Sequence, residues 1–111
     1  MTATEQLQGQ IADHREMVER KDLALKLEKN PEFKKLILES FCEKECARFA
    51  QASADPALSP DEQKASLAMA QSAGHLRRWL SMTVQMGLHA ERAIKDCEEE
   101  INTIAQEGGD R

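Results

Sequence analysis

Two thiols four residues apart, in Cys42-Glu43-Lys44-Glu45-Cys46, are the first side chains in this chain whose type and spacing suit chemistry. On a helix they share one face, and a fold-back about the loop near residue 57 would bring His75 within about a turn of Cys42. Structural zinc takes four ligands in a tetrahedral shell, and a fourth is not evident here. Free cysteines also pack as small hydrophobes, so the expectation is no metal site and no cofactor. The total of three cysteines is odd, and all lie in periodic segments instead of at loop positions; they read as reduced thiols and not as a disulfide framework.

The remaining candidates are weaker. His14 and His89 titrate near neutrality in principle, but no Ser, Cys or carboxylate stands at a spacing that makes a nucleophile and base with either, so no catalytic residue is assigned. Glu98-Glu99-Glu100 could imitate a run of phosphates, or be a solvated helix face, and the helix C-terminus gives anions no support. Arg77-Arg78-Trp79, with His75 and Arg48 near in the chain fold-back, combines base and aromatic. It is the candidate partner contact, since Trp and Arg often anchor interfaces; the competing reading makes Trp79 core and the arginines its solvated flank.

Composition bounds what could hold these residues. A chain of 111 residues is one domain with a modest core, and 4% aromatic residues leave that core to Leu, Ile, Met, Ala and three Phe, which suits narrow helix seams. The net charge of -5 opposes a phosphate-tracking nucleic-acid binder, which needs clustered Lys and Arg. No apolar run approaches the roughly 20 residues of a membrane span, and the polar start MTATEQLQGQ lacks the pattern of a signal peptide, which points to the cytoplasm.

The spacing predicts a single all-α domain of three helices. Leu7, Ile11, Val18 and Leu25 alternate by four and three with His14 and Lys21 as polar interruptions, giving a helix over about 4–28. Asn30-Pro31 ends it and caps a second helix over about 31–52, whose apolar arc through Phe33, Leu36, Ile37, Leu38, Phe41, Cys42, Cys46, Phe49 and Ala50 is wider than a two-helix seam needs. A loop then leads to Ser59-Pro60-Asp61-Glu62, a capping box. Beyond it Met69, Ala73, Leu76, Leu80, Thr83, Gly87, Ala90, Ile94, Cys97, Ile101 and Ile104 keep the same alternation, predicting one helix over about 60–105, close to 70 Å long at 1.5 Å per residue. Gly87 falls among small seam residues, where a partner helix can come close. Residues 106–111 are expected to be a flexible tail.

Together these elements describe an antiparallel helical hairpin or coiled coil with one long C-terminal helix. Its fold-back register sets Lys95 beside Glu19, Arg92 beside Asp22, Glu99 beside Arg15, and Trp79 near Lys35 and Leu36. The wide apolar arc calls for a further neighbour, so a homo-oligomer is expected.

The segments NPEFKKLILESFCEKECARFAQ, ADPALSPDEQ and AGHLRRWLSMTVQMGLHAERAIKDCEEEI, between Asn30 and Ile101, resemble a group of small all-helical proteins encoded in the structural-gene region of tailed bacteriophages. The shared features are the Asn-Pro-x-Phe-Lys-Lys start, the Ala-Asp-Pro-x-Leu-Ser-Pro loop, the Gly-x-Leu-Arg-x-Trp turn and the Gly-x-x-Ala-Glu step. These are caps and packing positions, so no functional residue carries over. The resemblance implies a non-enzymatic virion accessory or assembly protein, in the host cytoplasm or incorporated in the particle, with itself and other phage structural proteins as partners. Two other readings remain open: a small regulator or inhibitor of a host or phage enzyme, and a DNA-packaging-associated subunit.

Overall fold

The computed structural model describes residues 1–108, and among the described residues every element is helical. The first helix spans Ala3–Glu28. Thr2 starts it: its hydroxyl accepts the Glu5 N–H at 3.1 Å and donates to the Glu5 carboxylate at 3.2 Å, satisfying one of the helix's orphan donors. At the other end Asn30 adopts an extended backbone (φ -72°, ψ 122°), as a residue before proline should, and its side chain accepts the Phe33 N–H at 2.8 Å. The break and the cap are both where Asn30-Pro31 predicts them.

The middle helix, residues 31–52, departs from expectation inside its bounds. An α-helical turn at Pro31–Phe33 gives way to a π-helix over Lys34–Glu45, and α-geometry returns at Cys46–Ala52. In the π-stretch hydrogen bonds run from i to i+5: the Cys46 N–H reaches the Phe41 carbonyl, and the Ser40 hydroxyl donates to the Lys35 carbonyl at 2.9 Å. Such stretches are normally a single turn, so twelve residues is a long one.

A short loop follows, closed by Asp55, whose carboxylate accepts the Ala57 N–H at 2.9 Å, and by Gln63, whose amide donates to the Asp55 carbonyl at 2.7 Å. Ser59 and Glu62 then exchange reciprocal bonds, Glu62 N–H to the Ser59 hydroxyl at 3.2 Å and Ser59 N–H to the Glu62 carboxylate at 3.4 Å. This is the predicted capping box. The long helix spans Pro60–Gln106, 47 residues without a break. It ends in a turn at Glu107 and Gly108, with Gly108 at φ 100°, the left-handed conformation that glycine supplies after a helix. Of the expected tail, Gly109 to Arg111 lie outside the described residues.

The chain divides into two compact units. In the first, Met1–Leu25 joins the long helix from Met82 onward. Leu7, Ile11 and Cys97 form its buried cluster, with Ile94, Ile101 and Ile104 packed against it, and the Cys97 thiol donates to the Gln10 side chain at 3.6 Å. Farther along, Lys21 meets Gly87 and Glu91, so contact numbers rise along the first helix as they fall along the long one. In the second unit, Lys26–Ser81, the buried cluster is Cys42, Cys46 and Ala73, covered by Ile37, Leu38, Phe41 and Leu76. Each buried aliphatic side chain contributes about 1.5–3 kcal/mol.

Burial along the long helix follows the four-three alternation from Ala73 to Ile104, every predicted position being buried or half-buried except Met69, which is 40% exposed. The charge register differs from expectation. Among the described residues the ion pairs joining helices are Lys21 to Glu91 and Arg77 to Glu43, the latter at 3.6 Å, and Glu19–Lys95, Asp22–Arg92 and Arg15–Glu99 are not formed. The pair formed lies one residue before Asp22 and Arg92 on each helix, since Lys21 is on the buried seam and Asp22 is on the exposed side.

Candidate functional site

Consecutive helix residues point about 100° apart, and Arg77, Arg78 and Trp79 accordingly diverge. Arg77 leans toward the middle helix, where its guanidinium stands 3.6 Å from the Glu43 carboxylate. There it lines a shallow cleft with Glu28, Leu38, Leu80 and Ser81. Arg78 instead borders a hollow on the long helix with Ala70, Gln71, Gly74 and His75, opened by the missing side chain of Gly74. Trp79 is 62% exposed, which overturns its reading as a core residue. Arg48 stays on its own helix, bonded to Glu45 at 2.7 Å and 3.2 Å and stacked 4.6 Å from the Phe49 ring centre. The three neighbours in sequence therefore offer separate contacts, an arginine in a cleft, an arginine at a hollow and an exposed indole.

The thiols resolve differently. Cys42 and Cys46 share one apolar cluster, and the Cys46 thiol donates to the Met69 carbonyl at 3.4 Å with the Ser72 hydroxyl 3.9 Å away. His75 is exposed on the hollow beside Arg78 and takes no part in that cluster. Among the described residues no group of three His, Cys, Asp or Glu side chains could hold a metal ion. All three cysteines are free and buried, where a thiol acts as a packing group.

A feature only half legible in the sequence lies in the first unit. Lys21 is 6% exposed, its ammonium paired with the carboxylates of Glu91 and, at 3.2 Å, Asp22. Its stem crosses the long helix at Gly87, where a Cβ would overlap the Lys21 side chain. The glycine does let the first helix come close: the atom nearest to a Cβ placed there is the Lys21 Cβ, the first atom off the neighbouring backbone. His14, the other polar interruption of the seam, is half-buried, and its Nδ1 has no hydrogen-bond partner among the described residues. His89 and Glu98 to Glu100 are exposed.

In comparison with known proteins, no family model, no characterised relative and no solved structure matches this chain.

Proposed function

We propose that this chain is a non-enzymatic assembly or accessory protein, of the kind its resemblance to tailed-phage structural-region proteins implies, working through helix-to-helix contacts. In this reading the three helices form an antiparallel hairpin that associates with further copies and with other structural proteins of the particle. The observation that carries it is the set of large apolar side chains left in water: Leu23 at 66%, Leu36 at 66% and Trp79 at 62% exposure. Scattered exposed leucines are ordinary, but Trp is among the residue types that most often anchor protein interfaces, and Trp79 is exposed. The opposite order of contact numbers in each unit supports the hairpin. No helix among the described residues is long and apolar enough to cross a membrane.

Sedimentation velocity over a wide concentration range tests the reading. Wild-type protein is expected to form a defined oligomer that Trp79→Asp or Leu36→Asp disperses, and peptides of the chain are expected in purified phage particles. A monomer at every concentration, absent from particles, would replace this proposal with the regulator reading.

A further inference from the structure

A seam that alternates by four and three over eleven positions offers the first helix several alignments, since sliding by seven residues returns apolar groups to apolar groups. What distinguishes the observed alignment is polar. Lys21 sits at the position of Gly87, the only glycine on the seam, and its ammonium reaches Glu91 one turn on. Sliding by one heptad in either direction would set Lys21 against Ile94 or Leu80, side chains that fill the space the stem needs. In the second case Val84 would replace Glu91, leaving the ammonium buried with only Asp22 for company. A buried charge without its partner is strongly disfavoured, whereas the pair itself adds little net stability; its effect is to choose among alignments.

We propose that Lys21, Gly87 and Glu91 form a register lock, a conformational device that selects one alignment of the first helix on the long helix. The lysine stem needs the glycine gap, the ammonium needs the carboxylate, and one place on the long helix supplies both. The inference rests on contacts within one unit and holds whatever the protein assembles with.

Disulfide trapping in the full chain reads the alignment directly. In a background with Cys42→Ser and Cys46→Ser, Gln10→Cys stands opposite native Cys97 and reports the observed register, because Gln10 already touches that thiol. The second reporter, Gln10→Cys and Cys97→Ser with either Ile104→Cys or Ala90→Cys, reads a slip of one heptad in one direction or the other. With Lys21 present, the first pair is expected to close within the chain in a mild redox buffer and the second to remain reduced. With Lys21→Leu, or Lys21→Met should the first fold poorly by circular dichroism, the ratio of slipped to native crosslink is expected to rise by about tenfold. A ratio that stays the same with and without the lysine would overturn the proposal, as would efficient slipped crosslinking in its presence.

Discussion

The thiol of Cys46 donates to the main-chain carbonyl of Met69 at 3.4 Å, joining the middle helix to the first turns of the long one inside an apolar cluster. Because Cys42, Cys46 and Cys97 are all buried, disulfide reagents are expected to reach them only through opening of the fold. Thiol titration should run at least about tenfold slower in native protein than in denaturant. Rapid modification of all three in the native state would contradict the packing described.

Two glycines of the same helix should respond oppositely to alanine. A Cβ at Gly74 meets nothing within 4 Å, so Gly74→Ala is expected to stabilise by about 1 kcal/mol through helix propensity alone. A Cβ at Gly87 meets the Lys21 stem, and Gly87→Ala is expected to destabilise by about 1–3 kcal/mol despite the same propensity gain. Urea unfolding midpoints compare the two, and equal shifts in one direction would contradict the close approach.

The helix starts carry separable contributions. Asn30→Ala and Ser59→Ala each remove a side-chain acceptor for a first-turn N–H, and each is expected to lower stability by about 1 kcal/mol. Gly in either place should restore most of the loss, which equilibrium denaturation can measure.

Trp79, the single tryptophan, makes its surroundings directly observable. At 62% exposure its fluorescence is expected to lie at the red, water-exposed end and to be readily quenched by acrylamide in dilute solution. Trp79→Ala should lower stability by about 1 kcal/mol at most, against about 3–5 for a buried tryptophan. A blue, protected emission in a dilute monomer would mean the indole is packed after all.

The elements themselves were legible because local chemistry marks them. Asn30-Pro31 and Ser59-Pro60-Asp61-Glu62 end and begin helices through backbone bonds made within a few residues, and the long seam repeats often enough to outweigh Gly74 and Gly87. The alignment between helices was not, since surface charges such as Glu19 and Lys95 contribute too little to set it, and Lys21 reads as a mere interruption until Gly87 stands across from it. For Trp79, residue type alone left burial and partner contact both open. It lies one residue off the buried position of Leu80, and one residue is a large rotation on a helix. The π-stretch has no Gly or Pro to announce it.

The wide turns of that stretch nevertheless answer a question of winding. Phe33, Ile37 and Phe41 recur in steps of four, as do Leu38, Cys42 and Cys46, and all are buried or half-buried. An α-helix turns in 3.6 residues, so each step of four overshoots a full turn and the stripe spirals steadily off to one side. Bonds from i to i+5 lengthen the turn beyond four residues, so each step of four there falls short of a full turn and its drift offsets that of the α-helical turns on either side. The middle helix thereby keeps its greasy edge in line without the alternate steps of three that its neighbour uses.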